Sequence, residues 1–151
     1  MTVEITDEEL VTRFPGRHVD HDNEMIYRGW LEHELRGMRC EDCGRWHLPP
    51  RPVCPTCWSS NVRARPLRGS GTIFMFVLLH QGPPTPGVDY TTPHPVVTVE
   101  MDEQAGLRVT STVVDAVNDD IRIGAQVQLD WIERAGAPMP VFRIVDGGVP
   151  A

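Results

Sequence analysis

The sequence contains no lysine, and all 14 of its basic residues are arginine. A Schiff-base mechanism or a lysine general base is therefore excluded, since no side chain carries the required amine. The chain also lacks any run of about 18 apolar residues, so we expect no transmembrane helix. The opening MTVEITDEEL is acidic where a signal peptide is basic and then apolar, which favours a cytoplasmic location.

Recognisable catalytic motifs are missing as well. The sequence has no G-x-S-x-G, H-E-x-x-H or Walker pattern, and its six histidines are scattered. A free-standing enzyme is therefore an alternative that no catalytic motif supports. The composition does support a folded protein, because 40% hydrophobic and 23% charged residues are globular values. At 151 residues the chain is one ordinary domain or two small modules. A module of about 40 residues usually needs a metal or disulfides to be stable.

The net charge of −7 is unevenly distributed along the chain. Between Arg36 and Arg68 there are seven arginines against only Glu41 and Asp42. The remainder holds the other seven arginines against 19 acidic residues. A basic patch on an acidic protein suggests one anionic contact and argues against general polyanion binding.

Four cysteines form two C-x₂-C pairs, Cys40 with Cys43 and Cys54 with Cys57, separated by ten residues. Two such knuckles supply the four thiolates of a tetrahedral Zn²⁺ site, and a shell closed by protein ligands leaves no position for an activated water. We therefore predict a structural zinc site, with His47 as a surface or strand residue outside it. Iron, a metal-free site, disulfides and a redox dithiol are the alternatives, although neither pair has the βαβ context of a redox motif.

The hydrophobic pattern changes from helical to alternating along the chain. Residues 1–23 are polar and predict an extended arm, and the apolar spacing over 24–35 predicts a helix with Asn23 as N-cap and Gly37 as stop. Alternating segments then predict five strands, which favour a five-stranded OB-fold barrel. These strands cover residues 71–80, 95–101, 107–114, 126–132 and 141–145. The proline-rich connection 81–94 is long enough to suggest a functional loop.

These features together resemble the zinc-ribbon and OB-fold family called domain of unknown function 35. The resemblance covers about residues 20–146 and rests on the helix ending in Trp30 and Leu31 and on five segments. The segments read MRCEDCGRWHLPPRPVCPTC, GSGTIFMFVLLH, PHPVVTVEM, LRVTSTVV and IRIGAQVQLDW. It implies a mainly β protein: an arm and short helix (1–37), a rubredoxin-like zinc ribbon (38–67), an OB-fold domain (68–146) and a tail (147–151).

The same resemblance implies a non-catalytic partner of a thiolase-like enzyme that acts on acyl-CoA. Such enzymes include thiolase and hydroxymethylglutaryl-CoA synthase assemblies, acyltransferases and steroid side-chain aldolases, and the implied assembly is a heterotetramer around a thiolase-type dimer. The OB-fold domain would pack on the enzyme and help to form the acyl-CoA channel. No membrane partner is expected.

Two groups of residues are candidates for these contacts. The first group consists of candidate CoA contacts, because an arginine side chain can bind a phosphate bidentately. The alternative for these residues is that they are solvated surface residues with no ligand. The second group consists of candidate contacts with the partner enzyme. The alternative for these residues is that they pack within the chain itself. The candidate CoA contacts are Arg45, Arg51, Arg63, Arg65, Arg68 and His80. The candidate partner contacts are Trp30, Trp46, Trp58, Pro83, Pro84 and Pro86.

A single-stranded nucleic-acid binder is the other function that a ribbon and an OB-fold allow. Such a protein needs a basic groove with stacking aromatic residues. The OB-fold segment here is acidic, and its aromatic residues Phe74, Phe76, Trp131 and Phe142 are predicted to be core or interface residues. These features argue against nucleic acid as a partner.

Overall fold

The computed structural model describes residues 4–145, so the predicted tail 147–151 lies outside the described residues. Within this range the chain forms two helices, eight strands and a short 3-10 turn at Asn118–Asp120. None of the helices in the described range is long and apolar enough to cross a membrane. The elements are α1 (Asp7–Arg13), α2 (Glu24–Leu31), β1 (Arg36–Cys40), β2 (Trp46–His47), β3 (Val62–Pro66), β4 (Ser70–Leu79), β5 (His94–Met101), β6 (Arg108–Ser111), β7 (Gln126–Arg134) and β8 (Ala137–Ile144).

Helix α1 corrects the prediction of an extended arm over residues 1–23. The helix begins with a capping box, in which the Glu9 amide donates to Thr6 Oγ1 (3.2 Å) and the Thr6 amide donates to Glu9 Oε2 (2.8 Å). Leu10 and Phe14, four residues apart, are buried against α2 and β8. The polar residues that suggested an arm form the solvent face of this helix.

Helix α2 ends at Leu31, four residues before the predicted end. The chain turns at His33, whose φ is 57°, and the Glu34 amide donates to the Gly29 carbonyl (2.8 Å). A Cβ at Gly29 would lie 2.6 Å from the Glu34 carbonyl oxygen, so this close turn requires glycine. Gly37, predicted to stop the helix, lies inside β1.

Strands β1, β2 and β3 form a small antiparallel sheet in the order β2-β1-β3, with β1 in the centre. The ribbon is tied to the second sheet by Gln104, whose side chain accepts from the Trp46 amide (2.9 Å) and donates to the Trp46 carbonyl (2.8 Å). This pair of hydrogen bonds satisfies both backbone groups of an edge residue in β2.

The other five strands form a curled antiparallel sheet in the order β6-β5-β4-β7-β8. Its two edges meet through a parallel bridge between Val113 and Phe142. The Phe142 amide donates to the Thr112 carbonyl (2.9 Å), and the Val114 amide donates to the Phe142 carbonyl (3.0 Å). This topology confirms the predicted mainly β architecture with an OB-fold.

A single large hydrophobic cluster fills the curled sheet. The alternation of each strand sends one set of side chains inward, and residues flanking the ribbon join the same cluster. Its buried members are Leu35, Leu67, Ile73, Val97, Val99, Met101, Leu107, Val113, Ile121, Ala125, Val127 and Phe142.

Candidate metal centre and contact surfaces

The four cysteines converge on one point between the two knuckles. Their Sγ atoms all lie within 4.8 Å of one another, with Cys40 and Cys57 3.6 Å apart and Cys43 and Cys54 3.7 Å apart. Zinc–sulfur bonds of about 2.3 Å in a tetrahedron place the sulfurs about 3.8 Å apart. The four thiolates therefore fit a structural Zn²⁺ ion.

The two knuckles share one local geometry. The Cys43 amide donates to Cys40 Sγ and the Thr56 amide donates to Cys54 Sγ, each at 3.4 Å. A backbone turn closes each knuckle: Gly44 N donates to the Cys40 carbonyl (2.8 Å) and Trp58 N to the Cys54 carbonyl (2.9 Å). Amide hydrogen bonds to sulfur stabilise the charged form that a metal requires.

The electrostatics of the thiols follow from these hydrogen bonds. A backbone hydrogen bond from Cys57 is the main cause that lowers the pKa of Cys54 to about 6. The Cys43 amide is the main cause that lowers the pKa of Cys40. At Cys57 a backbone hydrogen bond with Ser59 acts to lower the pKa, but the neighbouring thiols, Cys40 first among them, raise it to about 12. Bringing four thiolates together thus requires a cation to balance them.

A polar network joins the first knuckle to the chain that follows the second. The Asp42 carboxylate accepts a hydrogen bond from the Ser59 hydroxyl and another from Asn61 Nδ2 (3.1 Å). These contacts, that from Ser59 first, lower the pKa of Asp42. The Asn61 carbonyl accepts from the Glu41 amide (2.9 Å). The network fixes the spacing between the cysteine pairs.

His47 is a strand residue and lies outside the cysteine group. Its ring is buried in β2, and Nε2 lies 3.2 Å from the Arg51 carbonyl oxygen. The group of potential ligands among the described residues consists of the four cysteines alone. The donor set is therefore four sulfurs, which closes the shell.

The candidate CoA contacts differ in how far their charge is already neutralised. Arg65 pairs with Glu41 (2.8 Å), and Arg68 lies 3.8 Å from Glu103. Within residues 4–145, no carboxylate pairs with the other three candidate arginines, which are all exposed. Those three are Arg45, Arg51 and Arg63. His80 is exposed and follows the last residue of β4, outside the ribbon.

The candidate tryptophans occupy three different environments. Trp58 has 82% of its surface exposed and a φ of 65°, a left-handed conformation that costs a non-glycine residue energy. Trp46 packs against the core of the curled sheet. Trp30 makes edge-to-face contacts with Phe14 and Tyr27, at ring centroid distances of 5.8 and 4.9 Å. Only Trp58 therefore presents most of its side chain to solvent.

The candidate prolines lie in the loop between β4 and β5, where Pro83, Pro84 and Pro86 are all exposed. Pro84 and Pro86 line a cavity of about 380 Å³ together with Trp30. Three arginines also line it, namely Arg13, Arg17 and Arg134. None of these three arginines was predicted to be a contact residue from the sequence. They lie near opposite ends of the chain, and only the fold brings them together.

The second half of β4 is an apolar surface, where sequence analysis predicted a strand with Phe74 and Phe76 as core or interface residues. Six consecutive residues, 74–79, are apolar and none is buried, with Phe74, Met75 and Val77 43%, 47% and 45% exposed. Pairing of β4 with β7 covers only Ser70 to Thr72, so β5 is the sole strand partner of residues 75–79 in the described chain. We call residues 74–79 the exposed β4 segment.

Two family models match adjacent segments of the chain. The ChsH2 rubredoxin-like zinc ribbon domain matches residues 28–63, and the ChsH2 C-terminal OB-fold domain matches residues 64–131. The first match covers both cysteine pairs. The four-sulfur geometry fits zinc, and the matched family is a zinc ribbon, so both observations indicate the same metal.

Similar proteins agree with these matches. A DUF35 domain-containing scaffold protein of Methanothermobacter thermautotrophicus is 33% identical over 98 residues, covering 64% of this chain and 71% of that protein. A probable enoyl-CoA hydratase alpha subunit of Thermomonospora curvata is 30% identical over 141 residues, which are 93% of this chain but only 43% of that protein.

A solved structure, the Ltp2-ChsH2(DUF35) aldolase, superposes with a TM-score of 0.76 at 31% identity. The superposition covers 85% of this chain and 98% of that one. With the ribbon, the curled sheet and these relatives in agreement, the chain belongs to the ChsH2-type DUF35 family of zinc-ribbon and OB-fold proteins.

Proposed function

We propose that the chain is a non-catalytic accessory subunit of a thiolase-fold enzyme that acts on acyl-CoA. It would stabilise that enzyme and help to form its acyl-CoA channel. The relatives named as scaffold proteins and the aldolase that contains a ChsH2 (DUF35) chain support this role. The closed zinc shell fits it too, because a four-thiolate site holds a fold together without activating water.

The exposed β4 segment is the observation that carries the proposal. A strand edge that is apolar and unpaired is a liability in a protein that acts alone, because it templates aggregation. A partner removes the liability by covering the side chains and satisfying the backbone groups, as in strand addition. The segment therefore fits a permanent protein contact.

Trp58 and the three unpaired candidate arginines extend the proposed contact. An exposed tryptophan held in a left-handed conformation is suited to act as an anchor in a partner's pocket. Arg45, Arg51 and Arg63 would contact CoA phosphates at the shared interface, and Arg65, Arg68 and His80 are further candidates for the same role. We further propose a heterotetramer around a thiolase-type dimer, located in the cytoplasm.

Co-purification tests the proposal directly. The tagged chain is co-expressed with a thiolase-fold protein from the same genome, and the complex is sized by light scattering. We expect a complex with two copies of each subunit. Val77→Glu should weaken it by about 100-fold or more, because an unpaired buried charge costs about 3–5 kcal/mol.

Val11→Glu is the matched control, since Val11 is also an exposed valine but lies on α1. It should leave the complex intact. If the wild-type chain forms no complex with any thiolase-fold protein, or if Val77→Glu and Val11→Glu behave alike, the proposed interface is wrong.

A further inference from the structure

The cavity of about 380 Å³ beside the proline loop has an unusual lining. It lies between the segment after α1, helix α2, the loop after β4 and the β7–β8 hairpin. Three arginines line it, and no acidic residue of the described chain does. We call it the arginine pocket, defined by Arg13, Arg17, Arg134 and Trp30.

None of these three guanidinium groups is paired with a carboxylate within residues 4–145. Arg13 Nη2 donates to the Gly136 carbonyl at 3.4 Å. Arg17 stacks on Trp30, with Cζ 4.9 Å from the ring centroid. In a chain with 21 acidic residues, three unpaired cations around one cavity leave a concentrated positive charge.

The pKa shifts of two groups at the pocket also indicate a concentrated positive charge. Burial, and then the positive charge of Arg17, lower the pKa of Arg134. Burial, and then Arg134, also lower the pKa of the neighbouring His94. A bound anion would relieve the repulsion between Arg17 and Arg134.

Apolar residues make up much of the remaining lining. Phe14, Trp30, Pro84, Pro86 and Met139 belong to it. A ligand that satisfies both parts of the lining combines a multiply charged anion with a flat or apolar group. The volume lies in the range of small-molecule sites, which is roughly 300–1,000 Å³.

We propose that the arginine pocket binds the pyrophosphate of a nucleoside diphosphate, with the base against the apolar residues of the lining. Guanidinium forks bind phosphate oxygens bidentately, and three of them match the charge of a pyrophosphate. Arg13, Arg17 and Arg134 all lie outside the matched family segments 28–63 and 64–131. The inference goes beyond the proposed function and needs no partner subunit.

Calorimetric titration of the full zinc-loaded chain with ADP tests the site. We expect saturable binding that weakens as salt is raised. Arg17→Gln and Arg134→Gln should each lower the affinity about tenfold or more, because a hydrogen bond to a charged group contributes about 1.5–3 kcal/mol. Unchanged thermal unfolding would show that both variants are folded.

Arg122→Gln is the matched control, because Arg122 is exposed and does not line the pocket. Its affinity for ADP should equal that of the wild type. An equal loss in Arg122→Gln would reduce the binding to general charge attraction and overturn the site. The absence of any ADP binding by the folded wild-type chain would also overturn it.

Three further titrants define the ligand. Inorganic pyrophosphate should bind more weakly than ADP but with the same sensitivity to Arg17→Gln and Arg134→Gln. Adenosine alone should not bind, and adenosine binding as tight as that of ADP would contradict the role of the arginines. Coenzyme A carries the same diphosphate, so comparing it with ADP distinguishes the two sources. Because these titrations use the chain alone, their failure would leave the co-purification test unaffected.

Discussion

The ribbon and the curled sheet are stabilised in different ways. The buried apolar cluster of the ribbon has four members, and two of them, Cys40 and Cys54, are metal ligands. The cluster in the curled sheet has twelve buried members, with Phe142 fully buried among them. A segment too short to bury a core needs a cross-link, and here the metal provides it. The ribbon depends on zinc, and the sheet depends on packing.

A second comparison lies inside the ribbon. Gly44 and Trp58 occupy the same place in the two knuckles and have similar φ angles of 79° and 65°. Glycine adopts this conformation at little cost, whereas tryptophan pays about 1–2 kcal/mol. The first knuckle therefore adopts this conformation without strain. The second accepts strain and presents an indole to solvent.

The largest effect is expected from removing a ligand. Cys54→Ser takes away a thiolate, and zinc binding to finger peptides contributes about 10–16 kcal/mol. Hydrogen exchange should show β1 and β3 unprotected while β4 to β8 stay protected, and mass spectrometry should find no zinc. Thr56→Ser, in the same knuckle, should keep the zinc and the protection of β1 and β3. A zinc-free Cys54→Ser protein with a protected ribbon would show that packing suffices.

The core of the sheet should respond to a packing change instead. Phe142→Ala removes a fully buried ring, which should lower the free energy of unfolding by about 3–5 kcal/mol. Urea unfolding measures the change, and zinc content should be unaffected in native buffer. Phe74→Ala is the matched control, because the Phe74 ring is half exposed and lies under Arg108. This substitution should lower the free energy of unfolding by about 1 kcal/mol or less. Equal losses would place Phe74 in the core.

The smallest change in stability is expected at the exposed tryptophan. Trp58→Gly removes left-handed strain but gives the unfolded chain more freedom, so the two effects should cancel to within about 1 kcal/mol. Affinity for the partner enzyme should nevertheless fall about 30-fold, the size of a typical interface anchor.

Gly44→Ala provides the reverse test. It should destabilise the ribbon by about 1 kcal/mol and leave partner affinity unchanged. Loss of zinc affinity in Trp58→Gly, or unchanged partner binding, would show that the two knuckles have the same role.

Local signals predicted much of this architecture. The cysteine spacing predicted the metal group, and period-two alternation predicted all five strands of the curled sheet. Helix α1 was missed because its apolar side consists only of Leu10 and Phe14, although the Thr6 and Glu9 capping box was a usable signal. The end of α2 was misplaced because the turn that ends it has His33, and no glycine, in the left-handed conformation.

The contact surfaces were harder to predict for a physical reason. The apolar run 74–79 looks the same whether a strand is buried or exposed, and only the short pairing with β7 shows that it is uncovered. The arginine pocket joins Arg17 to Arg134 through the fold, and no local pattern links such distant positions. The seven arginines from Arg36 to Arg68, in contrast, could be predicted as a basic patch because they are close in sequence.

Reconstituted turnover of acyl-CoA tests the central claim most directly. The chain alone, a thiolase-fold partner alone and the purified complex are each given acyl-CoA, and product is measured by mass spectrometry. We predict no product from the chain alone and greater turnover by the complex than by the isolated partner. Turnover by the chain alone, or a partner whose activity and stability are unchanged by the chain, would contradict the account.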